Sequence, residues 1–203
     1  DKALGDKYLD IIREEVSKMG LELTNVREVP VNSNILGDAA RATEPRKVQI
    51  FVTGASEADG LETKLYKVRK HVEQKIDNRD FYIVSLSCRI IVYKGMLTST
   101  QLREYYPDLS SPFFTSGIAM VHSRFSTNTF PTWSLAQPFR MLAHNGEINT
   151  IRGNRGWMAA RESVLSSAAL GEVSDIHPIV QPDMSDSASF DNALEFFVRS
   201  GMS

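Results

Sequence analysis

Two hydrophobic rhythms run through this chain, and they do not follow the strict strand–helix alternation that a parallel sheet needs. Leu61, Leu65, Val68, Val72 and Ile76 recur at helical spacing. Just before them Val48, Ile50 and Val52 alternate as a half-buried strand does. Helical spacing also marks a first helix from about Asp6 to Met19, carried by Leu9, Ile12, Val16 and Met19 and stopped by Gly20. Leu21 to Val29 reads as a strand closed by Pro30, and Val31 to Pro45 as mostly loop. Two apolar runs, Phe81–Leu86 and Ile90–Tyr93, sit close enough to be neighbouring antiparallel strands. Leu97 to Tyr106 reads as a short helix broken by Pro107, and Gly117–His122 and Arg140–His144 are further strand candidates. Helices from about Asn154 to Ser166 and from about Ser187 to Ser200 complete the pattern, the last with Phe190, Leu194, Phe197 and Val198 on one face. Locally pairing strands mixed with helices predict an α+β fold with antiparallel sheets.

The totals exclude several classes. Twenty-three Lys and Arg against 25 Asp and Glu leave a formal charge of −2, which argues against the basic patch of a nucleic-acid binder. No apolar run approaches the roughly 18 residues of a membrane span. Cys88 is the one cysteine, so no internal disulfide forms and a reducing, cytoplasmic setting is expected. No signal peptide is read at the start, where Asp1 to Asp10 is charged and has no apolar centre. The first residue is Asp1 rather than Met, and Ser203 follows a helix directly. Both ends therefore read as interruptions of a larger domain.

Three polar clusters follow strand-like or loop segments, where functional groups tend to be displayed. They are residues 122–127, beginning His122-Ser123-Arg124; residues 144–149, beginning His144-Asn145-Gly146; and Ser185-Asp186-Ser187. Their chemistry suits an amino-acid substrate. A guanidinium matches a carboxylate with a planar fork, and an aspartate pairs with an α-ammonium. An Asn side-chain NH₂ plus a glycine N–H can cradle the oxyanion formed by attack on an amide. The residues alone leave other readings open. Arg124 and Asp186 also suit a surface ion pair, Asn145-Gly146 a hairpin turn, and Ser185-Asp186-Ser187 a helix cap. His122 and His144 also suit hydrogen-bonded structural histidines.

The continuous run from His122 to Trp157 resembles the glutamate synthase large subunit, as do Arg27–Gly37, Tyr93–Leu97 and Ser185–Asn192. More broadly, His122-Ser123-Arg124 and His144-Asn145-Gly146 resemble motifs of glutamine amidotransferases whose nucleophile is an N-terminal cysteine. Phe125 and the runs 128–131 and 152–154 look like the glutamate synthase branch in particular. The resemblance implies a partial four-layer sandwich of antiparallel sheets between helices, as in N-terminal-nucleophile hydrolases. It implies that residues 1–203 are an interior part of one such domain, truncated at both ends. It also implies that Arg124 and Asp186 hold the carboxylate and ammonium of L-glutamine, with His122 and Ser123 as further substrate-binding residues. Asn145 and Gly146 then form the oxyanion hole. The nucleophilic cysteine should open the mature protein and is expected outside these residues, so this chain alone should be inactive.

The parent enzyme implied hydrolyses glutamine and sends ammonia to 2-oxoglutarate to make glutamate, with FMN and an iron–sulfur cluster carrying the reduction. No Gly-rich phosphate cradle and no cysteine cluster is visible, so no cofactor and no metal are expected within the chain. The partners implied are the remaining synthase domains and a small electron-donating subunit; no nucleic acid and no membrane are expected. Two competitors remain at this stage, a glutamine-binding regulatory module without catalysis and an amidotransferase domain serving another acceptor. Cys88, between two apolar runs and far in sequence from any histidine, reads as a half-buried sheet residue rather than a nucleophile.

Overall fold

A computed structural model of the chain describes residues 2–127 and 129–202. Its eight helices and strands are α1 (Lys2–Lys18), β1 (Glu22–Glu28), α2 (Asp38–Ala42), β2 (Val48–Thr53), α3 (Leu61–Lys75), α4 (Gln101–Tyr105), α5 (Arg152–Glu162) and α6 (Asp186–Arg199). Single 3₁₀ turns lie at Ser33–Ile35, Pro107–Ser110 and Ser174–Ile176. The fold is mixed α/β with a small antiparallel sheet. β1 and β2 pair from Glu22↔Thr53 to Glu28↔Val48, with a register shift between Leu23 and Asn25.

Helix α1 begins four residues before the expected Asp6 and ends where Gly20 predicts. Gly20 sits at φ 68°, Leu21 N–H bonds Val16 C=O at 3.1 Å and Gly20 N–H bonds Ser17 C=O at 2.9 Å. This is a Schellman closure, and the left-handed residue is a glycine because a Cβ is costly there. The apolar stripes of α1 and α3 then meet. Ile12, Val16 and Leu21 pack against Leu65, Val68, Val72 and Ile76, with Ile50 and Val52 of β2 on the edge.

A second core joins Tyr66 on the other side of α3 to Phe196 of α6 and to Leu170, Val173, Ile176 and Ile179. A third gathers Leu36, Ala40, Tyr105, Tyr106 and Trp133. There Gly95 is required by close approach: a Cβ on it would lie 2.4 Å from Trp133 Cζ3. A charged layer runs between α3 and α6. Arg69 bonds Glu195 at 2.6 Å and Glu73 at 2.8 Å, and Arg140 bonds Glu195 at 3.0 Å.

Four expected strands are corrected. Among the described residues 81–86, 90–93, 117–122 and 140–144 form no ladder. Several amides in and beside them turn to side chains instead. Val92 N–H donates to Ser85 Oγ, Met141 N–H to Asp191 Oδ1 at 2.7 Å, and His144 N–H to Gln137 Oε1 at 3.0 Å. The run 81–86 is apolar because it lies between two cores: Phe81, Ile83 and Leu86 pack on the first, Tyr82 on the third. Helix α5 stops at Glu162, short of the expected Ser166, and α4 covers only half of its expected span. No helix among the described residues is long and apolar enough to cross a membrane.

Candidate functional site

The site is built around the first turn of α6. Ser185 caps the helix, its side chain accepting from Ala188 N–H at 3.1 Å. Asp186 follows, 7% exposed, and both hydrogen bonds to its side chain end on Oδ1, from Ser187 N–H at 2.5 Å and Ser187 Oγ at 3.1 Å. A carboxylate in the first turn of a helix is favoured by the helix dipole. Arg155 of α5 secures the approach to this turn. Its Nε donates to Ser189 Oγ at 3.0 Å and its Nη2 to the carbonyls of Met184 and Ser185.

Ser187 is fully buried and receives two other segments. Its Oγ lies 2.7 Å from Ser126 Oγ and 2.7 Å from His144 Nε2. The three polar clusters expected from sequence therefore meet, through Ser126, His144 and Ser187. The sequence-predicted residues divide between this junction and its surroundings. Asp186 is in it. Ser123, Arg124, Asn145 and Gly146 are exposed beside it, on the two loops it anchors, and none of their side chains hydrogen-bonds to Asp186.

His122 orders its own loop. Its Nδ1 accepts the Arg124 N–H at 3.0 Å, which places any proton of the neutral ring on Nε2, a buried atom with no partner among the described residues. His144 Nδ1 lies 3.3 Å from where a Cβ on Gly146 would sit, so a side chain there would crowd the ring.

Charge in the layer below is strongly coupled. Burial works against the Arg69 cation, but Glu73 and Glu195 outweigh it and hold the guanidinium above its ordinary range. Burial pushes the Asp191 carboxyl up, with Arg140 opposing. Lys94, donating to Ser134 C=O at 2.7 Å, is pushed down to about 7 by desolvation, with Arg140 adding to the effect.

Two open grooves flank α5, of about 410 and 300 Å³. Trp157, Met158 and Phe197 line the larger, and Ile148, Ile151 and Phe190 the smaller; none of the six sequence-predicted site residues lines either. Cys88 is exposed, not half-buried. Residual burial and the Glu62 carboxylate, which accepts the Cys88 N–H at 2.6 Å, push its thiol up. Arg89, the one cation beside it in sequence, pairs with Glu57. The residues that sequence reasoning did not single out are Ser126, Ser187 and Arg155. The first two lay within the named clusters, but nothing in their spacing showed that they touch.

The family model "Glutamine amidotransferases class-II" matches residues 1–203. The chain is 46% identical over 198 residues to the glutamate synthase [NADPH] large chain of Azospirillum brasilense, covering 94% of this chain and 13% of that one. It is 48% identical to ferredoxin-dependent glutamate synthase 2 of Synechocystis, covering 95% and 12%. To the glutamate synthase [NADH] of Saccharomyces cerevisiae it is 44% identical, covering 96% and 10%. The chain thus spans little more than a tenth of these relatives.

Proposed function

The chain belongs to the class-II glutamine amidotransferases, and on that premise we propose that it is the glutamine-holding part of the glutaminase domain of a glutamate synthase. The observation that carries this reading is the junction at Ser187. It ties the Arg124 loop and the Asn145–Gly146 loop to the helix turn that carries Asp186.

Glutamine then lies over that junction. The Arg124 fork takes its α-carboxylate, and Asp186, whose Oδ1 is committed to its own helix, offers Oδ2 to the α-ammonium. His122 and Ser123 shape the Arg124 loop, the His122 ring by holding the Arg124 amide. The side-chain NH₂ of Asn145 and the N–H of Gly146 point two donors at the carbonyl oxygen as the amide carbon is attacked and that oxygen gains charge. The attacking thiolate is the N-terminal cysteine of the parent protein, with its own α-amine as base. Cys88 lacks that activation, because its thiol is pushed up by residual burial and Glu62 rather than lowered.

Within the same proposal, these 203 residues are an interior part of a single domain, and neighbouring strands complete the four-layer sandwich around 81–93 and 117–144. Ammonia released here passes to 2-oxoglutarate elsewhere in the parent chain, in the cytoplasm. In this proposal FMN and the iron–sulfur cluster belong to the rest of the parent chain. Such a cluster takes several cysteine thiolates, whereas Cys88 stands alone and no group of three His, Cys, Asp or Glu among the described residues is placed to hold a metal.

The test is Arg124→Ala in the full-length enzyme. Losing one charge-assisted contact costs roughly 1.5–3 kcal/mol, about one to two decades in glutamine KM. Glutamine-dependent synthesis should fall relative to ammonia-dependent synthesis. An equal loss of both would assign Arg124 to the fold instead.

A further inference from the structure

Ser187 has no exposed surface, yet its hydroxyl meets three polar partners: Ser126 Oγ at 2.7 Å, His144 Nε2 at 2.7 Å and Asp186 Oδ1 at 3.1 Å. A hydroxyl has one proton to give and two lone pairs to receive. One arrangement satisfies all three partners. Ser187 donates to the Asp186 carboxylate, while Ser126 O–H and His144 Nε2–H both donate to Ser187. Each of these groups belongs to a different segment. Ser126 is two residues beyond Arg124, His144 directly precedes Asn145, and Asp186 opens α6.

We propose that Ser187 is a positioning residue that sets the spacing between the two ends of the bound substrate, the amino-acid end at Arg124 and Asp186 and the amide end at Asn145 and Gly146. The inference rests on the glutamine reading above and goes beyond it, because Ser187 itself holds no substrate. Its hydroxyl fixes where the loops stand, and the loops carry the groups that do. Removing it unties both loops from α6 at once and leaves His144 Nε2 and Ser126 Oγ without their buried partner. The oxyanion donors act on the transition state, so their displacement lowers kcat, whereas displacement of Arg124 raises KM. A ring or backbone shift of the order of 1 Å is enough to cost up to about a hundredfold in rate.

The test uses the full-length enzyme with four variants: Ser187→Ala, Ser126→Ala, the double variant, and Arg124→Ala measured alongside. For Ser187→Ala the expected result is a fall of about tenfold or more in glutamine kcat/KM, shared between a lower kcat and a higher KM. The ratio of glutamine-dependent to ammonia-dependent synthesis falls with it. Because Ser126 acts through the same oxygen, Ser126→Ala should cost nothing further once Ser187 is alanine. Unchanged glutamine kinetics in Ser187→Ala, a proportional loss of both syntheses, or additive effects in the double variant each overturn the proposal. If Arg124→Ala raises glutamine KM while Ser187→Ala does not, only the positioning role fails. If Arg124→Ala leaves glutamine KM unchanged, the glutamine reading beneath it fails.

Discussion

Replacing Glu195 by Gln keeps the shape of the side chain and removes its charge, which isolates what that charge does in the layer between α3 and α6. The side chains of Arg69 and Glu195 are 3% and 6% exposed and 2.6 Å apart. The same Glu195 oxygen accepts from Arg140 Nε at 3.0 Å. Arg69, Lys70 and Arg140 there face Glu73, Asp191 and Glu195, with Lys94 beside Arg140 and Asp191. The substitution leaves one buried positive charge uncompensated, and breaking a buried pair in this way costs about 3–5 kcal/mol. For a domain of this size each kcal/mol lowers the melting temperature by roughly 2–4 °C, so a drop of about 10 °C is expected. Differential scanning calorimetry of the wild type and Glu195→Gln measures it, with Asp10→Asn, in an exposed i,i+3 pair with Arg13, as the control that should barely move. Because α6 also carries Asp186, glutamine kcat/KM should fall in Glu195→Gln. A melting temperature within about 1–2 °C of wild type would mean that water reaches the layer and that its charges are not desolvated.

Stability should climb with pH from about 7 to 9. Buried Lys94 is held down to about 7 and buried Lys70 to about 8, both by desolvation first. The unfolded chain keeps those protons to about pH 10, so it binds more of them across this window and each group adds up to about 1.4 kcal/mol per pH unit. Urea midpoints at pH 7, 8 and 9 measure the rise, and Lys94→Met should flatten it; a wild-type midpoint that falls over this range contradicts the assignment. Cys88→Ser should leave glutamine turnover by the full-length enzyme unchanged, and a loss of turnover would relocate the nucleophile to this chain.

What was legible in the sequence follows from what periodicity reports. The stripe Leu65, Val68, Val72 and Ile76 faces one core, so α3 was readable, and Gly20 ended α1 where its left-handed backbone closes the helix. Periodicity says which way a residue faces but not what it bonds to. Phe81–Leu86 looked like a strand because both its sides are apolar and half-buried, yet its two sides meet two separate cores rather than flanking strands. The site was legible as three clusters of the right chemistry. Their junction was not, because the contact of Ser126 with Ser187 spans 61 residues and joins a loop with no regular structure to the first turn of α6. Arg155 was missed for the same reason, its targets being the backbone of Met184 and Ser185 and the side chain of Ser189.

The most direct measurement is a crystal structure of the full-length enzyme holding a glutamine analogue that stays attached to the nucleophile. The account predicts the analogue's carboxylate within hydrogen-bond distance of the Arg124 guanidinium, its ammonium on Asp186, and its former amide oxygen on Asn145 Nδ2 and Gly146 N–H. An analogue seated in the grooves beside α5, with Arg124 and Asp186 both free of it, would contradict the account.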